Sequence, residues 1–153
     1  MKFLLILLFV PFLSFASDTS SCSGLINDCE YYSCIAATKH CDGNSYPTQY
    51  GRKFCMRYGE NLNKFSREGR RWVVNVRKCL MNEIEKFDES ISCGELKVKA
   101  FRSHVNCYVD HGFCDLSLKD KQHIMTTIWP GLMSALSIEN GLGVLNACYV
   151  SKM

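Results

Sequence analysis

An all-α fold, in the form of a single disulfide-rich helical domain with five intrachain bridges, is what this sequence predicts on three observations. Apolar side chains return at helical intervals along the whole chain, and strand-like alternation is sustained nowhere. Ten cysteines, an even number, are spread from Cys22 to Cys148. The chain also opens on a leader that directs it to an oxidising compartment, where such cysteines form bridges.

The leader reads MKFLLILLFVPFLSFAS, with Lys2 followed by an apolar run and then the small residues Ser14 and Ala16. This is the pattern of a secretory signal peptide, Met1 to Ala16. The run is too short to cross a bilayer core of roughly 30 Å as a helix, and no later segment is continuously apolar over the required ~20 residues. Cleavage after Ala16 leaves residues 17–153, 137 in all, a size for one domain with its own core. The expected location is therefore secreted, in the extracellular space.

The elements follow in order. Leu25, Cys29, Tyr32 and Ala36 have helical spacing, and CDGNSYP supplies the loop after them. Tyr50, Phe54, Tyr58 and Leu62 step by four, as do Trp72, Val76, Leu80 and Ile84. From Cys93 to about Asp110, Leu96, Ala100, His104 and Tyr108 form one stripe, which Gly112 stops. Ser117 with Asp120 resembles a capping box and starts a helix to about Trp129, ahead of Pro130. A last helix is expected from Gly131 to Glu139, ended by Asn140-Gly141. Cys79, Cys93 and Cys107 lie 14 positions apart and Cys114 seven further on, so each returns to nearly the same helical face, where facing helices can be stapled.

Charge and motifs exclude several functions. With Lys2 removed, 17 basic residues face 15 acidic ones, a net charge near +2, which is too weak and dispersed to argue for nucleic acid or an anionic membrane. There is no Cys-x-x-Cys pair for zinc, no phosphate-binding glycine loop and no Gly-x-Ser-x-Gly, so no cofactor or metal is called for. His104, three residues before Cys107-Tyr108, superficially resembles the catalytic helix of secreted phospholipases A2. That chemistry requires an aspartate after the histidine and a calcium loop, and here the next residue is Val105. His104 is accordingly expected on a packed or partly exposed helix face, and Asp110-His111 in solvent.

The segment CMRYGENLNKFSREGRRWVVNVRKC, with 23 residues between Cys55 and Cys79, carries Lys64-Phe65, Gly69, Trp72, Val73 and Lys78-Cys79. It resembles the corresponding segment of the stanniocalcins, secreted helical glycoprotein hormones. Four residues separate Cys29 from Cys34, 13 separate Cys93 from Cys107, six separate Cys107 from Cys114 and 33 separate Cys114 from Cys148, spacings similar to that family's. The resemblance spans Cys22 to Cys148, while the residues between cysteines mostly differ. It implies the pairs Cys22 with Cys34, Cys29 with Cys55, Cys41 with Cys93, Cys79 with Cys107, and Cys114 with Cys148. The sequence departs from the family in lacking its further, intersubunit cysteine, its Asn-x-Ser/Thr sequon and its long tail.

The resemblance implies a non-enzymatic hormone or inhibitor that binds an extracellular protein, either a receptor or a secreted protease. It also implies an association with calcium and phosphate homeostasis. With no odd cysteine the protein is expected as a monomer or non-covalent homodimer. The apolar surplus of Leu132, Met133, Leu136, Ile138, Leu142, Val144 and Leu145 either completes the core or supports association. The competing readings are a secreted phospholipase A2-like enzyme, against which Val105 argues, and an unrelated secreted helical effector.

Overall fold

Asn27 takes a left-handed conformation with φ of 89° and ends the first helical turn, Cys22–Leu25, before it can propagate. This is a computed structural model, and it describes residues 22–151; the leader expected at 1–16 lies outside the described residues, as do 17–21, 152 and 153. The first full helix, α1, therefore begins late, at Tyr31–Thr38. The single run expected through Leu25, Cys29, Tyr32 and Ala36 is corrected to a turn, a break and a helix. Asn tolerates positive φ because its short polar side chain relieves the usual clash, and the Asp28 carboxylate receives the Glu30 N–H at 2.9 Å to set the new start.

The loop after α1 is shorter than CDGNSYP suggests, because Tyr46 is already helical and Pro47 opens a wide-turn segment, Pro47–Arg52. Proline suits a first helical position, where its missing N–H costs nothing. That segment runs without a break into α2, Lys53–Glu60. Leu62, the last of the expected steps of four, lies beyond it in a short turn, Leu62–Lys64.

Helix α3, Arg67–Glu85, is the central element and carries Trp72, Val76, Leu80 and Ile84 along one side. Helix α4, Cys93–Asp110, starts on a closed capping box in which Ser92 and Glu95 satisfy each other's backbone N–H. Gly112, at φ 92°, supplies the left-handed residue that ends it. Helix α5 spans Leu118–Ile128 and α6 spans Ala135–Val150, and among the described residues there is no strand.

Helix α6 corrects the last boundary. Asn140-Gly141 does not end a helix: it lies in the middle of one, with Asn140 Nδ2 donating to the Leu136 carbonyl at 2.6 Å. Two tertiary constraints hold this glycine-bearing helix together. Gly143 sits where α6 crosses α4, so close that an added Cβ would lie 3.0 Å from Val105 Cγ2. The Cys114–Cys148 disulfide anchors its final turn.

The bridges are Cys22–Cys34, Cys29–Cys55, Cys41–Cys93, Cys79–Cys107 and Cys114–Cys148. They are the pairs the stanniocalcin frame implies, and the Cys79–Cys107 bridge staples α3 to α4. Two buried clusters lie along α3. Tyr31, Tyr32, Ile35, Met81, Ile84, Leu96 and Phe101 pack at its C-terminal half, and Tyr58, Phe65, Trp72, Val73, Val76 and Ile124 at its N-terminal half.

Candidate functional site

Between the two clusters the core is not filled. A cavity of about 360 Å³ is walled by members of both, including Tyr32, Tyr46 and Phe101 from one side and Tyr58, Trp72 and Val76 from the other. Its size falls at the lower end of the roughly 300–1,000 Å³ of small-molecule sites. Because its mouth opens to solvent, it costs the fold less than a sealed void of the same volume would.

The wide-turn segment Pro47–Arg52 places Tyr50 and Gly51 in the wall. Gly51 is required there, since a Cβ would run into the Tyr32 ring. Helix α6 closes the side opposite α3, and the mouth is rimmed by Met125, Ile138, Leu142 and Leu145, all exposed. On α6 the exposed Ile138, Leu142, Leu145 and Tyr149 recur at helical intervals on one face, and Trp129 and Met133, in the turns before it, are 66% and 86% exposed. Leu136 and Val144 do turn inward. The C-terminal apolar surplus thus divides between core and surface.

The polar groups of the cavity are few and poorly matched to one another. The Tyr58 side chain is 6% exposed, and its hydroxyl closes no well-formed hydrogen bond. Burial, followed by the facing Tyr108 hydroxyl, pushes its pKa well above the ordinary tyrosine value. Burial likewise raises Tyr32, Tyr46 and Tyr108, and the four phenols are near enough to influence one another. No Asp or Glu lines the wall among the described residues, and the one permanently charged group there is Arg77. Its guanidinium donates to the Asn27 carbonyl at 3.1 Å and lies 3.2 Å from Cys29 Sγ, while its Nε is buried without a partner. Desolvation lowers its pKa, and Tyr32 and Asp28 partly offset that.

His104 also lines the cavity, with its ring stacked on Phe101 at 5.5 Å. Its Nδ1 is 2.7 Å from the Ala100 carbonyl, so that nitrogen carries the proton in the neutral ring and Nε2 is left as an acceptor. Burial holds its pKa below the ordinary histidine value. Its orienting partner is thus a backbone carbonyl. Asp110 and His111 are exposed, as expected from the sequence, and His111 Nδ1 lies 2.9 Å from the Cys107 carbonyl. All ten cysteines are consumed in bridges.

The sequence pattern identified the cysteines but not the cavity. Its residues are the same helical stripes that ordinarily denote a filled core, and whether two stripes meet or stand apart depends on helix placement. The accessible signal was the number of tyrosines on those stripes, at positions 32, 50, 58 and 108, where leucine would pack without a hydroxyl.

Fold and site define the class: an all-α, disulfide-stapled helical domain with an apolar cavity and an apolar rim. No family model matches the chain, and neither a curated protein nor a solved structure shows significant similarity to it. Among the described residues no helix is long and apolar enough to cross a membrane.

Proposed function

We propose that this chain is a secreted, non-enzymatic protein of stanniocalcin type, a hormone or inhibitor that acts by binding an extracellular protein. The observation that carries the reading is the exposed apolar face of α6, Ile138, Leu142, Leu145 and Tyr149, together with the exposed Trp129 and Met133 in the turns that lead into that helix. Contiguous exposed apolar surface of this kind marks an interaction site, and aromatic and methionine side chains are those enriched at such interfaces. The bridge pattern supports the family side of the proposal, since five pairs from ten cysteines coincide with the pairs that the resemblance implies. The engagement of His104 Nδ1 by a backbone carbonyl supports the non-enzymatic side, because phospholipase A2 chemistry needs a carboxylate to orient that base.

A secreted metalloprotease that cleaves growth-factor-binding proteins is the first partner to test. The mature protein is expected to bind it and slow its cleavage, and Trp129→Ser combined with Met133→Asp is expected to weaken both effects at least about tenfold. Equal binding by wild type and the double variant would remove this surface from the interface. Calcium-dependent hydrolysis of phospholipid vesicles by the wild type would overturn the non-enzymatic reading.

A further inference from the structure

We propose that the cavity between α3 and α6 is a binding site for a long-chain carboxylate, with its alkyl chain among the aromatic and aliphatic side chains and its carboxylate directed to Arg77 and the tyrosine hydroxyls. The exposed α6 face above concerns a protein partner; this site lies beneath it and is argued independently.

Three observations favour this occupant. The cavity, about 360 Å³, is walled by Phe54, Trp72, Val76, Leu80 and Phe101, which offer dispersion contacts to a chain, and their one polar group, the Trp72 indole N–H, is taken by the Tyr108 carbonyl at 3.2 Å. Its wall includes a cation and no anion: Arg77 makes no ion pair among the described residues, and the carboxylate nearest in influence, Asp28, accepts the Glu30 N–H instead. A desolvated guanidinium with a buried Nε left unpartnered is matched by a carboxylate, which it can hold by charge-assisted hydrogen bonds. The third observation is the buried Tyr58 hydroxyl, which lacks a good partner and stands with Tyr32, Tyr46 and Tyr108 around the same space. Phenols whose own ionisation is suppressed by burial remain hydrogen-bond donors, and a carboxylate is an acceptor with about four lone-pair sites. The facing Tyr58 and Tyr108 hydroxyls can share one hydrogen bond between them, which leaves an O–H for the ligand oxygens to accept. The exposed Ile138, Leu142 and Leu145 at the mouth provide an apolar entrance.

The ligand chemistry is tested by comparing oleate with oleyl alcohol on the disulfide-intact full mature chain, stripped of bound lipid, by calorimetry and native mass spectrometry. Oleate is expected to bind with one-to-one stoichiometry, more tightly than the alcohol. Arg77→Gln should weaken oleate about tenfold or more while leaving the alcohol nearly unchanged, and Arg77→Lys should restore part of the preference. Leu80→Phe, which fills the cavity, should reduce binding of both. Unfolding midpoints and the non-reducing disulfide map identify any variant that fails to fold, in which case the wild-type comparison of acid and alcohol decides. Equal affinity for acid and alcohol, unaffected by Arg77→Gln, would overturn the carboxylate assignment. No binding of either, or a native dimer that masks the mouth and excludes oleate, would overturn the site itself.

Discussion

Asp120 is a carboxylate at 1% exposure, and it joins two helix starts. It accepts hydrogen bonds from the Ser66 backbone N–H at 2.8 Å, from Ser66 Oγ at 2.7 Å and from Ser117 Oγ at 2.8 Å. Ser66 and Ser117 are the N-caps of α3 and α5; the local Ser117–Asp120 cap forms, with Ser117 Oγ accepting the Asp120 N–H at 3.1 Å, and the Asp120 side chain also bridges the two helices. Replacing it by Asn sets an amide donor against these donors, and the expected loss is about 3 kcal/mol, read from denaturant unfolding with the bridges intact. Burial would raise the Asp120 pKa, but the hydrogen bonds from Ser66 and Ser117 outweigh it and hold the carboxyl below its ordinary value. The contribution is therefore complete above the unfolded pKa of about 4 and is lost as pH falls through the lower folded value. His104 acts in a higher window. Burial holds its pKa below the ordinary histidine value in the fold, so stability declines as pH drops from about 6.5 toward the lower folded value, where the unfolded ring takes up a proton more readily than the folded one. A stability profile from pH 8 to pH 3 should show both declines, and His104→Gln should remove the upper one while leaving the lower. An unchanged profile in that variant would refute the assignment to His104.

At the scale of elements, the helical stripes were legible wherever a helix lies on one continuous face. Trp72, Val76, Leu80 and Ile84 all fall on α3, and Leu96, Ala100, His104 and Tyr108 all fall on α4. The α4 start at Cys93 is where the sequence placed it, and the structure adds the closed Ser92–Glu95 capping box that fixes it. What failed was local punctuation overridden by tertiary contact. Asn140-Gly141 resembles a helix stop, yet α6 continues because the close crossing at Gly143 and the Cys114–Cys148 bridge, both beyond that pair, hold the second half of the helix in place. Asn27 failed in the opposite sense, since an apolar period ran through a residue whose backbone turns left-handed. The crossing gives a direct test. Gly143→Leu forces a large side chain against Val105, and overpacking of this kind costs about 1–3 kcal/mol. Faster amide exchange confined to α6, with α3 still protected, is the expected signature. Uniform loss of protection across both helices would show that α6 does not open separately.

For the whole molecule the disulfides decide both stability and assembly. Loops of 12 to 52 residues are closed by the five bridges, and each restricts the unfolded chain by on the order of 3 kcal/mol. Together they are comparable with the whole of the about 5–15 kcal/mol by which ordinary domains are stable, and the cavity removes contacts that a filled core would have supplied. Reduction is therefore expected to unfold the domain, with loss of near-ultraviolet dichroism and of protected amides. The same bridges consume all ten cysteines of the sequence, so no thiol remains to join two chains, and an odd cysteine is what drives such joining in secreted proteins. Self-association is therefore expected to be non-covalent, and the apolar face that α6 shares with the cavity mouth is the surface to test for it. Leu142 and Leu145, each 62% exposed, lie at its centre. A single monomer band on a non-reducing gel is expected, whatever the mass in dilute native solution. If that native mass is a dimer, Leu142→Glu together with Leu145→Glu should return it to a monomer. A dimer band that disappears only on reduction would instead require a thiol outside the five pairs, and would refute this assignment of the cysteines.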